Sequence, residues 1–273
     1  MLKDILDKNQ FEFKKKFGQN FISDTNLLKA IVKEGEITSE DQVLEIGPGA
    51  GTLTGQIAQI AKKVVAYEID TTLKDILAET LQEYDNTQVI FGDIMQQNIK
   101  SIESNFDKEY CLVANLPYYI TTPIIFKFIN EATKLKSLYV MVQKEVGERI
   151  CSDAGTKDYG IVSVIIATIG SARITRVINR NMFMPAPNVD SCMVKVDIDK
   201  NKFDIDDFAK YSEFVQKCFA MRRKTLANNL EKCLGLARSR CYECLENLGL
   251  AQDVRAERLT PAQFVQLYNI INR

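Results

Sequence analysis

Between Val43 and Thr54 the chain reads Val-Leu-Glu-Ile-Gly-Pro-Gly-Ala-Gly-Thr-Leu-Thr, a short apolar run cut off by three glycines in five positions. An apolar run of that length suits a buried strand, and glycines directly after it let the chain turn into a helix whose first amides remain open. In an open α/β sheet this junction falls at the carboxyl ends of the strands. Backbone N–H groups and a helix N-terminus there face a crevice that can hold a ligand. The stretch therefore predicts an α/β fold with a nucleotide-like ligand at the loop.

The surrounding pattern agrees. Ser23 can cap a helix whose apolar positions Leu27, Leu28, Ile31 and Val32 end at Gly35. Strand-like and helix-like segments then alternate: Val43 to Ile46, a helix from Thr52, Val64 to Ile69, a helix from Thr72, Val89 to Phe91, and Cys111 to Leu116. A helix near Pro123 to Glu131, a strand Leu138 to Val142, a helix near Glu145 to Cys151 and the run Ile161 to Ile169 continue it. That rhythm implies a parallel sheet with helices on both faces, a Rossmann-like arrangement. Cys192, Val194 and Val196 alternate with Met193, Lys195 and Asp197, as in an antiparallel strand finishing the sheet. Beyond the charged stretch Asp197 to Asp207 the signals are purely helical: Phe208 to Phe219, Thr225 to Leu234, Tyr242 to Leu248 and Pro261 to Ile271. Thr260-Pro261-Ala262-Gln263 has the form of a capping box with proline at the first helical position. We place the domain boundary near residue 200, giving a Rossmann-like α/β domain over 1–200 and a small all-helical domain over 201–273.

Composition narrows the chemistry. The chain has no histidine, which removes the commonest general base and every Ser-His-Asp or Cys-His mechanism. Its seven cysteines lack framework spacing, and Cys241-x-x-Cys244 has no second pair to complete a zinc site, so no metal is expected and the two cysteines read as core. No segment carries the apolar block of a signal peptide or membrane span, which points to a cytoplasmic address without membrane contact. Net charge is −1, so no global field attracts nucleic acid. Local clusters do exist: Lys14-Lys15-Lys16, Arg173 with Arg176 and Arg180, Arg222-Arg223-Lys224, and Arg238 with Arg240. Any one of them reads as a solvated face, but several in a balanced chain suggest a segregated phosphate-binding surface.

The loop itself discriminates among nucleotides. A dinucleotide fingerprint wants its third glycine where Thr52 stands, and no lysine follows Gly51 to form a phosphate-binding Walker loop. Glu-x-Gly-x-Gly-x-Gly after a strand resembles motif I of the S-adenosylmethionine-dependent methyltransferases. Glu68 ends the next strand, as an acid suited to ribose hydroxyls, and Asp93 ends the third. At the end of the fourth strand, Asn115-Leu116-Pro117-Tyr118 resembles the motif of amino-methyltransferases acting on the exocyclic N6 of adenine. That nitrogen is a poor nucleophile because its lone pair is delocalised into the ring. The Asn115 side-chain oxygen and the Leu116 carbonyl can accept its two hydrogens and aim the lone pair at a methyl donor. Pro117 holds Leu116 extended, and Tyr118 can stack on a base flipped out of its strand.

These motifs, with Phe17-Gly18-Gln19-Asn20-Phe21-Ile22, Phe183-x-Pro185-x-Pro187-x-Val189-x-Ser191 and Arg222-Arg223-Lys224-Thr225-Leu226-x-Asn228-Asn229-Leu230, together resemble the small-subunit ribosomal RNA adenine dimethyltransferases. The likeness spans nearly the whole chain. It implies transfer of two methyls to N6 of each of two adjacent adenines near the 3′ end of 16S rRNA. The donor would be S-adenosyl-L-methionine, leaving S-adenosyl-L-homocysteine, and the substrate an immature small (30S) subunit bound by a monomeric enzyme. By matching positions, Asn20 and Ile22 would line the cofactor's methionine end, with Ile22 replacing the more usual leucine. Gly47, Gly49 and Gly51 would form the loop, Glu68 with Ile69 would hold the ribose, and Asp93 with Ile94 the cofactor's adenine. Asn115 would face both donor and target, and Phe183 would form a second wall of a base sandwich with Tyr118. Lys14, Lys15, Lys16, Arg222, Arg223 and Lys224 are the expected RNA contacts. The related large-subunit, antibiotic-resistance dimethyltransferases share the sheet motifs, a DNA adenine methyltransferase shares the Asn-x-Pro-aromatic idea, and a primarily non-catalytic assembly role is the reading from a different class.

Overall fold

The structure, a computed structural model, describes residues 2–14 and 17–272. In chain order the elements are α1 (Leu2–Lys8), β1 (Phe21–Ile22), α2 (Thr25–Glu34), β2 (Gln42–Ile46), α3 (Thr52–Ala58), β3 (Lys63–Glu68), α4 (Lys74–Thr80) and β4 (Thr87–Phe91). Next come α5 (Ile99–Glu103), β5 (Tyr110–Asn115), α6 (Thr121–Glu131), β6 (Leu135–Gln143), α7 (Lys144–Ile150), α8 (Ile161–Ile169), β7 (Gly170–Ile178), β8 (Phe183–Met184) and β9 (Ser191–Ile198). The chain ends in α9 (Phe208–Cys218), α10 (Leu226–Leu234), α11 (Arg238–Asn247) and α12 (Pro261–Asn272).

The first compact unit comprises the residues up to Gly147 together with Arg173–Asp197. Its sheet has the order β4-β3-β2-β5-β6-β9-β7. Strands β2 to β6 pair in parallel and β9 runs antiparallel to β6. The central strands are buried on both faces, which is why they read as continuous apolar runs rather than alternating ones. One apolar cluster joins Leu28, Ile31 and Val32 of α2 and Leu53 and Ile57 of α3 to Val43, Val113 and Met141 of the sheet. A second gathers Leu2 and Leu6 of α1, Phe21, and Ile76 and Leu77 of α4. Each fully buried Ile or Leu in such a cluster stabilises the fold by about 1.5–3 kcal/mol.

The second unit comprises Glu148–Ala172 and the residues from Ile198 onward. Helices α8, α9, α10, α11 and α12 enclose Tyr211, Val215, Leu226, Leu230, Phe264 and Leu267. Tyr159 donates its hydroxyl to the Leu259 carbonyl (3.0 Å), and the Thr168 and Tyr211 hydroxyls bond at 3.0 Å. Cys241 and Cys244 are fully buried in this core, as core cysteines should be.

Three sequence expectations change. The cut between units is not a single point near residue 200, because 148–172, including α8, group with the helical unit. Strand β9 is the last strand in the chain but not the sheet's edge, which is β7, an element whose mixed pattern Gly-Ser-Ala-Arg-Ile-Thr-Arg-Val-Ile gave no clear signal. The cap of α2 is Asp24 rather than Ser23, its carboxylate accepting from the amides of Asn26 (2.8 Å) and Leu27 (3.0 Å). The Thr260–Gln263 capping box forms as expected, the Gln263 side chain accepting from the Thr260 amide (2.9 Å) and the Thr260 hydroxyl from the Gln263 amide (3.3 Å).

Candidate active site

Strand order reverses between β2 and β5, so the crevice at their carboxyl ends is the natural ligand position of this sheet. The glycine loop follows β2 and Asn115 ends β5. The Gly47 amide donates to the Tyr67 carbonyl (2.9 Å), which carries the ladder one residue past the strand. Gly49 has φ 59°, and a Cβ there would lie 2.7 Å from the Phe21 ring, so both conformation and space require glycine. Gly51, also at positive φ, is the N-cap of α3 and faces Leu77 and Thr80 rather than the crevice. Phe21 is in turn held by the rings of Phe11 and Phe13, at 5.9 and 5.3 Å between centroids. The Thr52 hydroxyl donates to the Ile22 carbonyl (3.0 Å), and Ile22 pairs with Phe183 in the two-stranded β1–β8 ribbon. The segment before α2 is thus fastened across the loop.

The Asn115 amide nitrogen donates to the Asn20 carbonyl at 2.9 Å. That bond orients the carboxamide and leaves Oδ1 as an acceptor. Asn20 is itself tied back by its side-chain nitrogen to the Gly18 carbonyl (3.0 Å). Leu116 is buried and anchors the turn that follows, where the Ile120 amide and the Thr121 hydroxyl both donate to the Pro117 carbonyl (3.0 and 3.2 Å). The half-buried Tyr118 places its hydroxyl 2.8 Å from that of Ser191 on β9, and burial raises the phenol's pKa against that bond. Phe183 is 6% exposed and packs in the core with Ile22, its partner across the β1–β8 ribbon.

A pocket open to solvent lies between these elements. Of the residues singled out in the sequence, Asn20, Ile22, Gly47, Gly49, Glu68, Ile69, Asn115 and Pro117 line it. Gly51, Asp93, Ile94, Leu116 and Tyr118 stand outside the lining. Asp93 opens the turn after β4, its carboxylate accepting from the Met95 amide (2.9 Å) and the Gln96 side chain (3.1 Å). The preceding Gly92 donates to the Glu68 carbonyl (2.8 Å), which sets Asp93 beside the end of β3. Sequence reasoning missed the apolar floor of Leu28, Leu53, Leu73 and Met141, the rim residues Phe17, Gly18, Gln19 and Phe21, the loop's Pro48 and Thr52, and Glu45. For Glu45 a signal was present, an acid inside an otherwise apolar strand.

Three acids set the electrostatics. Glu68 is buried, one oxygen accepting from the Gly49 amide (3.1 Å) and the other from the Asp70 amide (2.7 Å). Burial raises its pKa above the ordinary value, although those amides pull the other way. Glu45 is 1% exposed, and its Oε2 has no hydrogen-bond partner. Burial pushes its pKa up to about 8, opposed by the neighbouring Thr54 hydroxyl and reinforced by the charge of Glu68. Burial would also raise the pKa of Asp70. Hydrogen bonds from Lys14 (2.7 Å), Thr72 and Gln19 (2.8 Å) outweigh it and hold the carboxyl below the usual range.

The basic clusters divide. Lys14 is occupied by Asp70 and the Thr72 hydroxyl, so it fastens the segment before β1 to the end of β3. Lys15 and Lys16 lie outside the described residues. Arg173 pairs with Glu36 and Asp197, and Arg176 with Glu34, which makes both structural. Arg238 is shared between Asn228 and Glu231. Arg222, Arg223 and Lys224 are exposed and form no ion pair among the described residues. Their turn is pinned by the buried Asn229, whose Oδ1 accepts from the Met221 amide (2.8 Å) and whose nitrogen reaches the Thr225 carbonyl (3.3 Å).

Comparison with known proteins places this geometry in context. The family model described as ribosomal RNA adenine dimethylase matches residues 10–273. The ribosomal RNA small subunit methyltransferase A of Levilactobacillus brevis is 42% identical, with 98% of this chain and 93% of that protein covered. Its counterpart in Clostridioides difficile is 41% identical over 99% of this chain and 94% of that protein. Among solved structures, a dimethyladenosine transferase from Plasmodium falciparum is similar at TM-score 0.79 and 27% identity, covering 92% of this chain and 97% of its own. The 23S rRNA methyltransferase ErmE shares the fold at TM-score 0.70 and 24% identity, over 93% of this chain and 100% of its own.

Proposed function

The chain belongs to the ribosomal RNA adenine dimethylase family, and from that premise we propose that it dimethylates N6 of two adjacent adenines near the 3′ end of 16S rRNA. It is an S-adenosylmethionine-dependent ribosomal RNA methyltransferase. The finer reading makes its substrate an immature small subunit, met by a cytoplasmic monomer. Relatives that carry a small-subunit name over 98% or more of the chain support the small-subunit choice over the large-subunit one.

The pocket suits the cofactor. A buried carboxyl oxygen without a partner, as on Glu45, favours a ligand that brings a donor or a positive charge, and S-adenosylmethionine carries both an ammonium and a sulfonium. Asn20, Ile22 and Glu45 would hold its methionine end, Glu68 and Ile69 its ribose, and Asp93 with Ile94 its adenine. When bound, the cofactor supplies an electrophilic methyl group. The remaining chemistry belongs to the chain. Asn115 Oδ1 and the Leu116 carbonyl accept the two N6 hydrogens of the target adenine, which draws the nitrogen toward tetrahedral geometry and directs its lone pair into the pocket. Tyr118 stacks on the flipped base. The nitrogen is cationic after transfer and loses its proton to solvent, so the absence of histidine from the sequence is no obstacle. For the second transfer a single N6 hydrogen remains, and one of the two acceptors suffices to position it.

The observation that carries this reading is the 2.9 Å bond from the Asn115 amide to the Asn20 carbonyl, because it selects Oδ1 as the acceptor beside the glycine loop. The Asn115→Ala variant is expected to lose methyl transfer by about 100-fold or more, the scale of removing one preorganised partner of a reacting group. Its S-adenosylmethionine Kd by calorimetry should stay within about tenfold of wild type. Undiminished dimethylation by Asn115→Ala would sink the assigned role.

A further inference from the structure

Two consecutive tyrosines follow Pro117, and the structure gives them opposite environments. Tyr118 is half-buried, with its hydroxyl on Ser191 at 2.8 Å. Tyr119 is 65% exposed, above every other exposed large apolar side chain among the described residues, Ile60, Ile69, Val177 and Val189 included. Its backbone is nonetheless part of a closed turn. The turn that carries it is closed by the Ile120 amide on the Pro117 carbonyl (3.0 Å). Pro117 packs so closely on Gly18 that a Cβ at Gly18 would lie 3.2 Å from Pro117 Cβ and 3.9 Å from the Tyr119 ring. Gly18 and Pro117 both line the pocket, so the Tyr119 ring lies next to two of its lining residues. An aromatic ring 65% exposed, carried on a hydrogen-bonded turn beside the lining of a base-modifying site, suits a stacked base.

We propose that Tyr119 is a stacking platform for the RNA nucleotide adjacent to the target adenine, a role that rests on the ribosomal RNA reading above. A base drawn in toward Asn115 lies against Tyr118, and its neighbour in the chain is left at the mouth, where Tyr119 offers a π face. Stacking tolerates any base because every base has such a face. That tolerance suits a substrate with two adjacent targets, since the strand must move by one nucleotide between them and the platform must accept whichever neighbour is left outside.

The test is steady-state methylation of unmodified small subunits by wild type, Tyr119→Phe and Tyr119→Ala, with S-adenosylmethionine affinity measured alongside. Loss of one base stack predicts a rise in the subunit KM of roughly tenfold for Tyr119→Ala, at both adenines. Tyr119→Phe should stay within about twofold, and cofactor Kd should be unchanged in both variants. A single-stranded RNA carrying 2-aminopurine beside the target adenine should lose fluorescence on binding wild type and retain it on binding Tyr119→Ala. An unchanged KM for Tyr119→Ala in an otherwise active series would overturn the platform alone, as would a Tyr119→Phe variant as impaired as the alanine. A wild type that methylates no small subunit would overturn the substrate reading on which the platform stands.

Discussion

Glu45 is the residue whose state reports most on the pocket. Its folded pKa is raised to about 8 against an ordinary 4.5, so between those values the folded protein keeps a proton that the unfolded chain has shed. Stability attributable to this group is therefore fully present below about pH 4.5 and declines as pH rises toward about 8, where the loss levels off. Glu45→Gln removes the titration, and thermal melts should show it more stable than wild type at pH 8.5 by on the order of a few kcal/mol, with the difference vanishing near pH 4. A variant whose pH-stability curve parallels that of wild type would show that Glu45 is not the buried, proton-holding group described here. At this scale the sequence was legible wherever backbone needs dictate a residue type: Gly49 because Phe21 occupies the place of a side chain, and Asn115 because it ends β5. Phe183 was less legible, since an aromatic before Met184-Pro185 serves a core as well as a stack, and here it is buried. Glu45 stood out as an acid in a largely apolar strand, but only the fold shows that its side chain faces the crevice with Leu28 and Met141.

Among elements, those with a clean period were legible to within a few residues. Strands β2 to β6 and helices α9, α10 and α12 lie close to where apolar runs and caps put them. The stretch Ile161 to Ile169 shows the limit. It is rich in β-branched residues and reads equally as a strand, yet it forms α8, with seven of its nine residues buried. Burial on all sides erases the amphipathic stripe that would identify a helix. The turn before α10 shows the converse, because its shape depends on one side chain: Asn229 holds Met221 and Thr225, and the turn so fixed presents Arg222, Arg223 and Lys224 to solvent. If these three cations meet RNA phosphates, replacing all three by glutamine should weaken subunit binding and lower the slope of log K against log salt by about 2, at roughly 0.7 per lost contact. An unchanged slope in filter-binding titrations would return the triplet to the role of a solvated surface.

For the molecule as a whole, the sequence conveyed the two kinds of structure but not how the chain divides between them. A single cut near residue 200 assumes that each unit is one continuous stretch, whereas the chain enters the helical unit at Glu148, leaves it after Ala172 and returns at Ile198. Nothing local marks such a crossing, since α7 and β7 continue through the change of unit. The family was more legible than this division because two of the motifs that carry it, the glycine loop and Asn115, meet in the α/β unit where strand order reverses. The most direct test of the account is mass spectrometry of N6,N6-dimethyladenosine after incubation of the protein and S-adenosylmethionine with unmodified small subunits, and in parallel with naked large-subunit RNA. The account predicts dimethylation of two adjacent adenines near the 3′ end of 16S rRNA and none in the large-subunit RNA. Dimethyladenosine confined to the large-subunit RNA, or absent from both, would contradict it.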